Sequence, residues 1–387
     1  MGPGWAVVMP FIQKQWKDVK VALETRFVPR AADGKRGRSV TCTHGGHQHT
    51  HADLVLYLDQ APTHGLMQNI TDLVHKMRAS LGGCFRSVVL TNAGLTANES
   101  NHYPQGPCRQ FQTVFNDLDR VSSNDSHVLL RGRTAVFEPA AAVPGTVHST
   151  TVVVAGASGP IDHTLSTTNP PERYNMWVNY THIFYMEPDV RPVKSGWLAA
   201  IERACYAADG AGPPFWLLGS HYRGSHPVGE ELSARLHVNG NALYRVSRPL
   251  SRFYQAALFS QSACGAEFKA FDQMPFVIFF EMQDDLAENQ RSEGGPHKMA
   301  REHFQRFRFS DLIQNCWMSG CGSDSHLRTD HPETYLVHGS AKHARGADLA
   351  KKEKKSSRNG KHNGAQTTAG AKAPATVRRS WRIPFLS

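Results

Sequence analysis

Residues Thr181 to Leu198 read THIFYMEPDVRPVKSGWL, and how this stretch is read decides the fold. Ile183, Phe184, Tyr185 and Met186 carry no charge and no glycine, the composition of a strand buried on both faces. Glu187 and Asp189 follow at once, with Pro188 between them. On a regular strand, carboxylates at i and i+2 point to opposite faces. A proline-stiffened turn off the strand end brings both toward one point in front of the sheet edge. In open α/β sheets, ligands sit in the crevice beyond the carboxyl ends of the strands. Two carboxylates there suit a hard divalent cation whose remaining oxygens come from a diphosphate. The plain alternative is a strand end with solvated acids before an ordinary helix, and so short an acidic motif does not separate the two.

The flanking sequence supplies the scaffold such an edge needs. Ala6 to Met9 reads as an apolar strand, and Gln15 to Arg26 has helical spacing through Trp16, Val19, Val21, Leu23 and Phe27. Arg30 to His51 is a polar loop rich in Gly and His. A strand at Leu54 to Leu58, a helix from about His64 to Leu81 and a strand at Ser87 to Thr91 follow. Leu66, Ile70, Leu73, Val74 and Met77 give the second helix a clean apolar stripe. Strands alternating with helices predict a mostly parallel sheet with flanking helices. Residues 121 to 170, rich in Ser, Thr, Ala, Pro and Gly, read as an insertion with one hairpin, its apolar run at Val152 to Val154. The sheet resumes at His182 and at Phe215 to Leu218, and Gly265 to Phe309 has a helical pattern.

The Glu187-Pro188-Asp189 segment resembles the metal-binding strand end of GT-A glycosyltransferases, whose Asp-X-Asp motif chelates a nucleotide-sugar diphosphate through manganese or magnesium. Further segments are similar in the expected order. AVVMPFIQKQWKDVKVALE resembles the first strand and helix, and DLVLYLD at Asp53 to Asp59 the second strand. FWLLGSHYRG at Phe215 to Gly224 and HVNGNALYRV at His237 to Val246 resemble the acceptor side. TYLVHG at Thr334 to Gly339 resembles the segment carrying a closing metal-ligand histidine. The likeness is to a little-characterised eukaryotic, algal- or protist-like group and spans about residues 5 to 340. It implies a GT-A-like, Rossmann-related fold and a nucleotide-sugar donor, UDP- or GDP-linked, with a glycan, protein or small-molecule acceptor. It also implies Mn2+ or Mg2+ on Glu187, Asp189 and His338.

Other residues can be weighed on their own chemistry. Asn239, Gly240 and Asn241 form a natural tight turn whose amides and bare backbone suit sugar hydroxyls; alone, the same residues make a plain β-turn. Gly219, Ser220 and Arg223 precede them and join the expected substrate site. Asp272 is the candidate general base or acceptor-orienting acid of an inverting transferase, against an ordinary helix-capping role. Pro10 and Phe11, just past the first strand, and Asp59, ending the second, fall where a nucleotide is expected. His338 is an acceptable third ligand, and Gly339 lets backbone approach phosphate. Cys42, His44, His47, His49 and His51 have zinc-like spacings but lie in a Gly/Arg-rich stretch without a second Cys pair, so they read as a polar loop.

Composition limits the alternatives. The 387 residues carry a net charge of +10, but residues 341 to 387 hold 12 Lys/Arg against 2 Asp/Glu, leaving 31 of each sign before them. The basic character thus belongs to a low-complexity tail expected to be disordered, and the neutral body argues against a nucleic-acid footprint. The domain boundaries follow: 1 to 340 as the transferase-like domain, 341 to 387 as the tail. Seven scattered cysteines suggest no dense disulfide framework, and Cys316 and Cys321 read as core thiols. No run reaches the roughly 18 apolar residues of a membrane span. No signal or anchor is visible, which reads as cytoplasmic, or as Golgi lumen if the N-terminus is truncated. Four Asn-X-Ser/Thr sequons, at Asn69, Asn98, Asn124 and Asn179, are about twice chance and only hint at a lumen. The reading is a metal-dependent glycosyltransferase; its rivals are an inactive sugar- or nucleotide-binding relative and a protein acting through its basic tail. A two-metal phosphohydrolase lacks the additional Asp/His ligands it would need.

Overall fold

The computed structural model describes residues 4–27, 41–42, 52–77, 80–81, 83–100, 105–120, 135–137, 153–154, 180–207, 213–223, 236–259, 272, 303–316 and 324–339. In chain order these form β1 (Gly4–Phe11), α1 (Trp16–Arg26), β2 (Ala52–Leu58), α2 (His64–Lys76), β3 (Ser87–Asn92), α3 (Ala97–Ser100) and α4 (Gln105–Arg120). The edge pair β4 (Ala135–Phe137) and β5 (Val153–Val154) comes next. Then follow β6 (Tyr180–Tyr185), β7 (Arg191–Pro192), α5 (Trp197–Ala207), β8 (Leu217–Gly219), β9 (Leu243–Arg245) and α6 (Arg248–Phe259). The described chain closes with β10 (Phe307–Phe309), β11 (Ile313–Asn315), α7 (Asp324–Asp330) and β12 (Leu336–His338).

Nine strands make one sheet in the order β10-β8-β9-β6-β1-β2-β3-β4-β5. β1, β2, β3 and β6 pair in parallel, while β9 and β4 run against their neighbours. With β8 and β10 parallel to each other, seven of the nine strands point one way. The expected α/β fold with a mostly parallel sheet and flanking helices is therefore present, and β4 and β5 form the antiparallel pair expected between 121 and 170. After β3 the chain returns to place β6 on the other side of β1. Strand order reverses there, which opens a crevice at the carboxyl edge.

Period-two alternation sorts the central strands between two apolar layers. Trp5, Val7, Met9 and Phe11 of β1 pack with Val19 and Leu23 of α1, with the α2 stripe and with Leu198 and Ile201 of α5. Ala6 and Val8 face the other way, with Phe111 and Val114 of α4 and Leu250, Phe253 and Tyr254 of α6. β6 divides likewise: Phe184 and Met186 join the first layer, Ile183 and Tyr185 the second. An aliphatic or aromatic side chain buried this fully is worth about 1.5–3 kcal/mol over exposure. The strand thus arrives at Glu187 rigidly held.

Some local expectations fail. Val21 is 54% exposed, because the helical face is set by Val19, Ala22 and Leu23. Phe307–Phe309, the end of the stretch expected to be helical, is strand, paired in parallel with β8; residues 265–271 and 273–302 of that stretch lie outside the described residues. Cysteine pairing was underestimated: Cys42 is bonded to Cys84, Cys108 and Cys316 are also disulfide-bonded, and Cys205 is a buried thiol outside any disulfide. Cys42 therefore has no thiolate to offer zinc, and His44, His47, His49 and His51 lie outside the described residues, as does Cys321. The tail expected from residue 341 also lies outside them. Among the described residues no helix is long and apolar enough to cross a membrane.

Candidate metal centre

β6 ends at Tyr185 and the chain turns through Glu187, Pro188 and Asp189. Arg26, the last residue of α1, donates from Nη1 to the carbonyls of Pro188 and Val190, which flank Asp189. One guanidinium nitrogen thus bridges the two carbonyls of the turn and fixes where the Asp189 side chain starts. Burial pulls the Arg26 pKa down to about 10, while nearby Asp189 opposes the shift.

A second, three-stranded sheet, β11-β12-β7, delivers the third group. β7 leaves the acidic turn and pairs antiparallel with β12, whose last residue is His338. His338 Nε2 lies 3.1 Å from Glu187 Oε2 and 3.4 Å from Asp189 Oδ1. One ligand atom from each of the three residues falls within 4.8 Å of the others. The imidazole is buried, whereas the carboxylates keep 37% and 42% of their side-chain surface. Gly339 follows with φ 137°, a backbone conformation that favours glycine.

Asn315, opposite His338 in the β11–β12 register, sets the imidazole's tautomer. Its Oδ1 lies 3.1 Å from His338 Nδ1. That oxygen can only accept, so Nδ1 carries a proton and Nε2 is the nitrogen turned to the carboxylates, a donor to them while protonated and a ligand once that proton leaves. The donor set, two carboxylates and one oriented imidazole, fits a divalent cation. Burial pulls the His338 pKa down, but hydrogen bonds with Asp189 and then Glu187 outweigh it and raise it to about 10. Burial pushes Asp189 up, but His338 and then Arg26 hold it below the ordinary carboxylate range. A cation entering here displaces a proton that the carboxylates favour.

Residues 220 and 239–241 close around this triad in a ring of hydrogen bonds. Asn241 accepts the Glu187 backbone N–H at 2.7 Å and donates to Glu187 Oε2 at 2.9 Å. Its Nδ2 and backbone N–H also donate to Asn239 Oδ1, at 2.8 and 3.1 Å. Asn239 donates its own backbone N–H to the Ser220 carbonyl at 2.9 Å. Ser220 Oγ accepts the Asn315 N–H at 3.2 Å, and Asn315 leads back to His338. Below the turn, Asp272 Oδ2 accepts from Gly240 N–H at 2.8 Å and Asn239 Nδ2 at 3.3 Å, with His237 Nε2 3.6 Å away. Asp272 Oδ1 is buried without a hydrogen-bond partner among the described residues.

Asn241 and Ser220 are each only 1% exposed, so both serve the frame around Glu187 and His338 rather than an open surface. Gly240 is not among the positive-φ glycines; side-chain hydrogen bonds hold the turn instead. Gly219 is a packing glycine, since a Cβ there would meet Ala242 Cβ and Val238 Cγ1 at 2.7 Å. Arg223 is paired with Asp311 and donates its N–H to the Asn315 carbonyl. Pro10 is buried in β1, and the Phe11 ring is a core ring beside Trp16. Asp59 bonds Ser100 and Gln60, and its Oδ1 is buried without a partner among the described residues. Arg26 and Asn315 were missed in the sequence, where neither has a distinguishing neighbour.

No family model matches the chain, and no curated protein matches its sequence. Among solved structures the chain is similar to mouse xyloside xylosyltransferase 1 in its apo form. The TM-score is 0.34 at 8% identity, covering 88% of this chain and 98% of that one.

Proposed function

We propose that the protein is a metal-dependent glycosyltransferase with a GT-A-like fold, moving a sugar from a nucleoside-diphosphate sugar to an acceptor hydroxyl. The observation carrying this reading is the convergence of Glu187, Asp189 and His338 beyond the strand-order reversal of a mostly parallel sheet. These three residues would hold Mn2+ or Mg2+, which supplies charge neutralisation to a departing nucleoside diphosphate. The chain's own residues do the positioning. Arg26 fixes the acidic turn, Asn241 aims Glu187, and Asn315 keeps His338 Nε2 turned toward the carboxylates. Asp272 holds the 239–241 turn with one oxygen; its other oxygen, buried and without a partner among the described residues, would act as general base once an acceptor hydroxyl reaches it. Pro10, Phe11 and Asp59 would bound the nucleotide side from behind, since Phe11 and Asp59 are each 1% exposed and Asp59 holds Ser100 and Gln60.

A thermal-shift panel of UDP- and GDP-sugars, each with and without Mn2+, tests the proposal. A ligand that binds only the native state raises the melting temperature, and at least one donor should do so in a metal-dependent way. Stabilisation by no donor under either condition overturns the reading. Metal-dependent binding with no transfer to any acceptor in a glycan array identifies a sugar-nucleotide-binding relative without turnover.

A further inference from the structure

We infer that Asn69 and Asn98 carry N-linked glycans, on a chain that folds in an oxidising compartment. Two independent observations meet here. The first is redox state: of the five described cysteines, Cys42, Cys84, Cys108 and Cys316 are disulfide-bonded, and the fifth, Cys205, is a buried thiol. Glutathione and thioredoxin keep cytosolic thiols reduced, so structural disulfides belong to compartments of the secretory route. That is where asparagine in Asn-X-Ser/Thr receives oligosaccharide.

The second observation is where the sequons lie. Asn69-Ile70-Thr71 sits in α2, and Asn69 is exposed at the edge of the buried stripe of Leu66, Ile70, Leu73 and Val74. Gly65, one helical turn before it, has nothing within 4 Å of where a Cβ would stand, so the space over this face is open. Asn98-Glu99-Ser100 forms most of α3, and Asn98 is exposed as well. The Ser100 hydroxyl is bonded to Asp59, which leaves the Asn98 amide as the solvent-facing group. The sequons at Asn124 and Asn179 fall outside the described residues. The number of sequons alone decides nothing; exposure together with cysteine oxidation does.

The co-reactant is a lipid-pyrophosphate-linked oligosaccharide. The side-chain amide nitrogen attacks the anomeric carbon, forming a C–N bond as the C–O bond to pyrophosphate breaks. The amide proton passes to a base of the transferring enzyme, and the lipid pyrophosphate leaves. Nothing is oxidised or reduced in this step.

The test expresses the full chain in eukaryotic cells in two forms, one behind a secretion leader and one retained in the cytosol. Glycopeptide mass spectrometry of the secreted form should find glycan on both Asn69 and Asn98, removed by peptide N-glycanase with conversion of Asn to Asp. Asn69→Gln and Asn98→Gln should each remove one mass step with no change in melting temperature, since both side chains are exposed. Non-reducing digestion should recover the Cys42–Cys84 cross-linked peptide. The cytosolic form should have both thiols open to alkylation and a lower melting temperature. A folded, secreted protein bare at both asparagines overturns the inference. So does a cytosolic form that is equally stable with Cys42 and Cys84 reduced. Neither result bears on metal or nucleotide binding, which are measured separately.

Discussion

Asn315→Ala tests the candidate metal centre without touching a ligand. The substitution leaves the β11 backbone, its register with β12 and the Asn315 N–H bond to Ser220 in place. It removes the oxygen 3.1 Å from His338 Nδ1. Two effects follow. The buried Nδ1–H loses its partner, a cost of about 1–3 kcal/mol in stability. The imidazole is also free to rotate or change tautomer, and losing such an outer partner weakens metal binding by about 10–100-fold, or roughly 1.4–2.7 kcal/mol. Asn315→Asp is the matching control. Its carboxylate still accepts from Nδ1 and makes the imidazole more basic, so Mn2+ should bind at least as tightly as in the native protein. The assay is Mn2+ titration by calorimetry on all three proteins, with melting temperatures measured in chelator. Mn2+ affinities for Asn315→Ala and the native protein within twofold of each other would refute the argument that Asn315 aims the ligand. Native protein that takes up no Mn2+ would refute the centre itself.

Asp189→Asn keeps its shape but removes a full charge from the triad; it should abolish metal-dependent donor stabilisation and lower transfer by orders of magnitude while the fold survives, checked by thermal shift and turnover. Glu187→Gln should act in the same direction. The Cys42→Ala/Cys84→Ala pair opens a loop of sequence separation 42, which chain entropy values at about 4 kcal/mol. Because Thr41 and Cys42 accept the N–H groups of Gly196 and Leu198, denaturation and hydrogen exchange should show the loss around the start of α5. Gly219→Ala forces a methyl into contacts of 2.7 Å and should cost about 1–3 kcal/mol in chemical denaturation. Deleting residues 345 to 387 should leave the melting temperature unchanged, because their composition holds too few apolar residues to join a core; a fall of several degrees would contradict that.

Much of the fold was legible locally. The run from Ile183 to Met186 reads as a two-sided strand because each residue feeds one of two apolar layers, and the 66/70/73/74 stripe reads as a helix because hydrophobic burial repeats with the backbone's own period. The same local logic places Glu187 and Asp189 at a strand end. It misled at Phe307 to Phe309, the end of a stretch with a helical pattern, where parallel pairing with β8 makes a strand. It also misled for the cysteines, since pairing over 42 residues is a matter of proximity and leaves no trace in spacing.

The sequence by itself determined the alternation of strands and helices, the acidic turn and the placement of the chain's basic charge in its last residues. Those properties depend on residues within a few positions of one another. Only the tertiary structure decided that His338, 149 residues after Asp189, meets it at 3.4 Å. It alone decided that Asn239, Asn241 and Ser220 frame a candidate metal ligand instead of lining an open surface, and that Arg26 and Asn315 hold the site in shape. The physical reason is that hydrogen bonds and coordination are short-ranged. Which groups come within 3 Å is set by how β12 pairs with β7 and β11, a long-range pairing that no local pattern encodes.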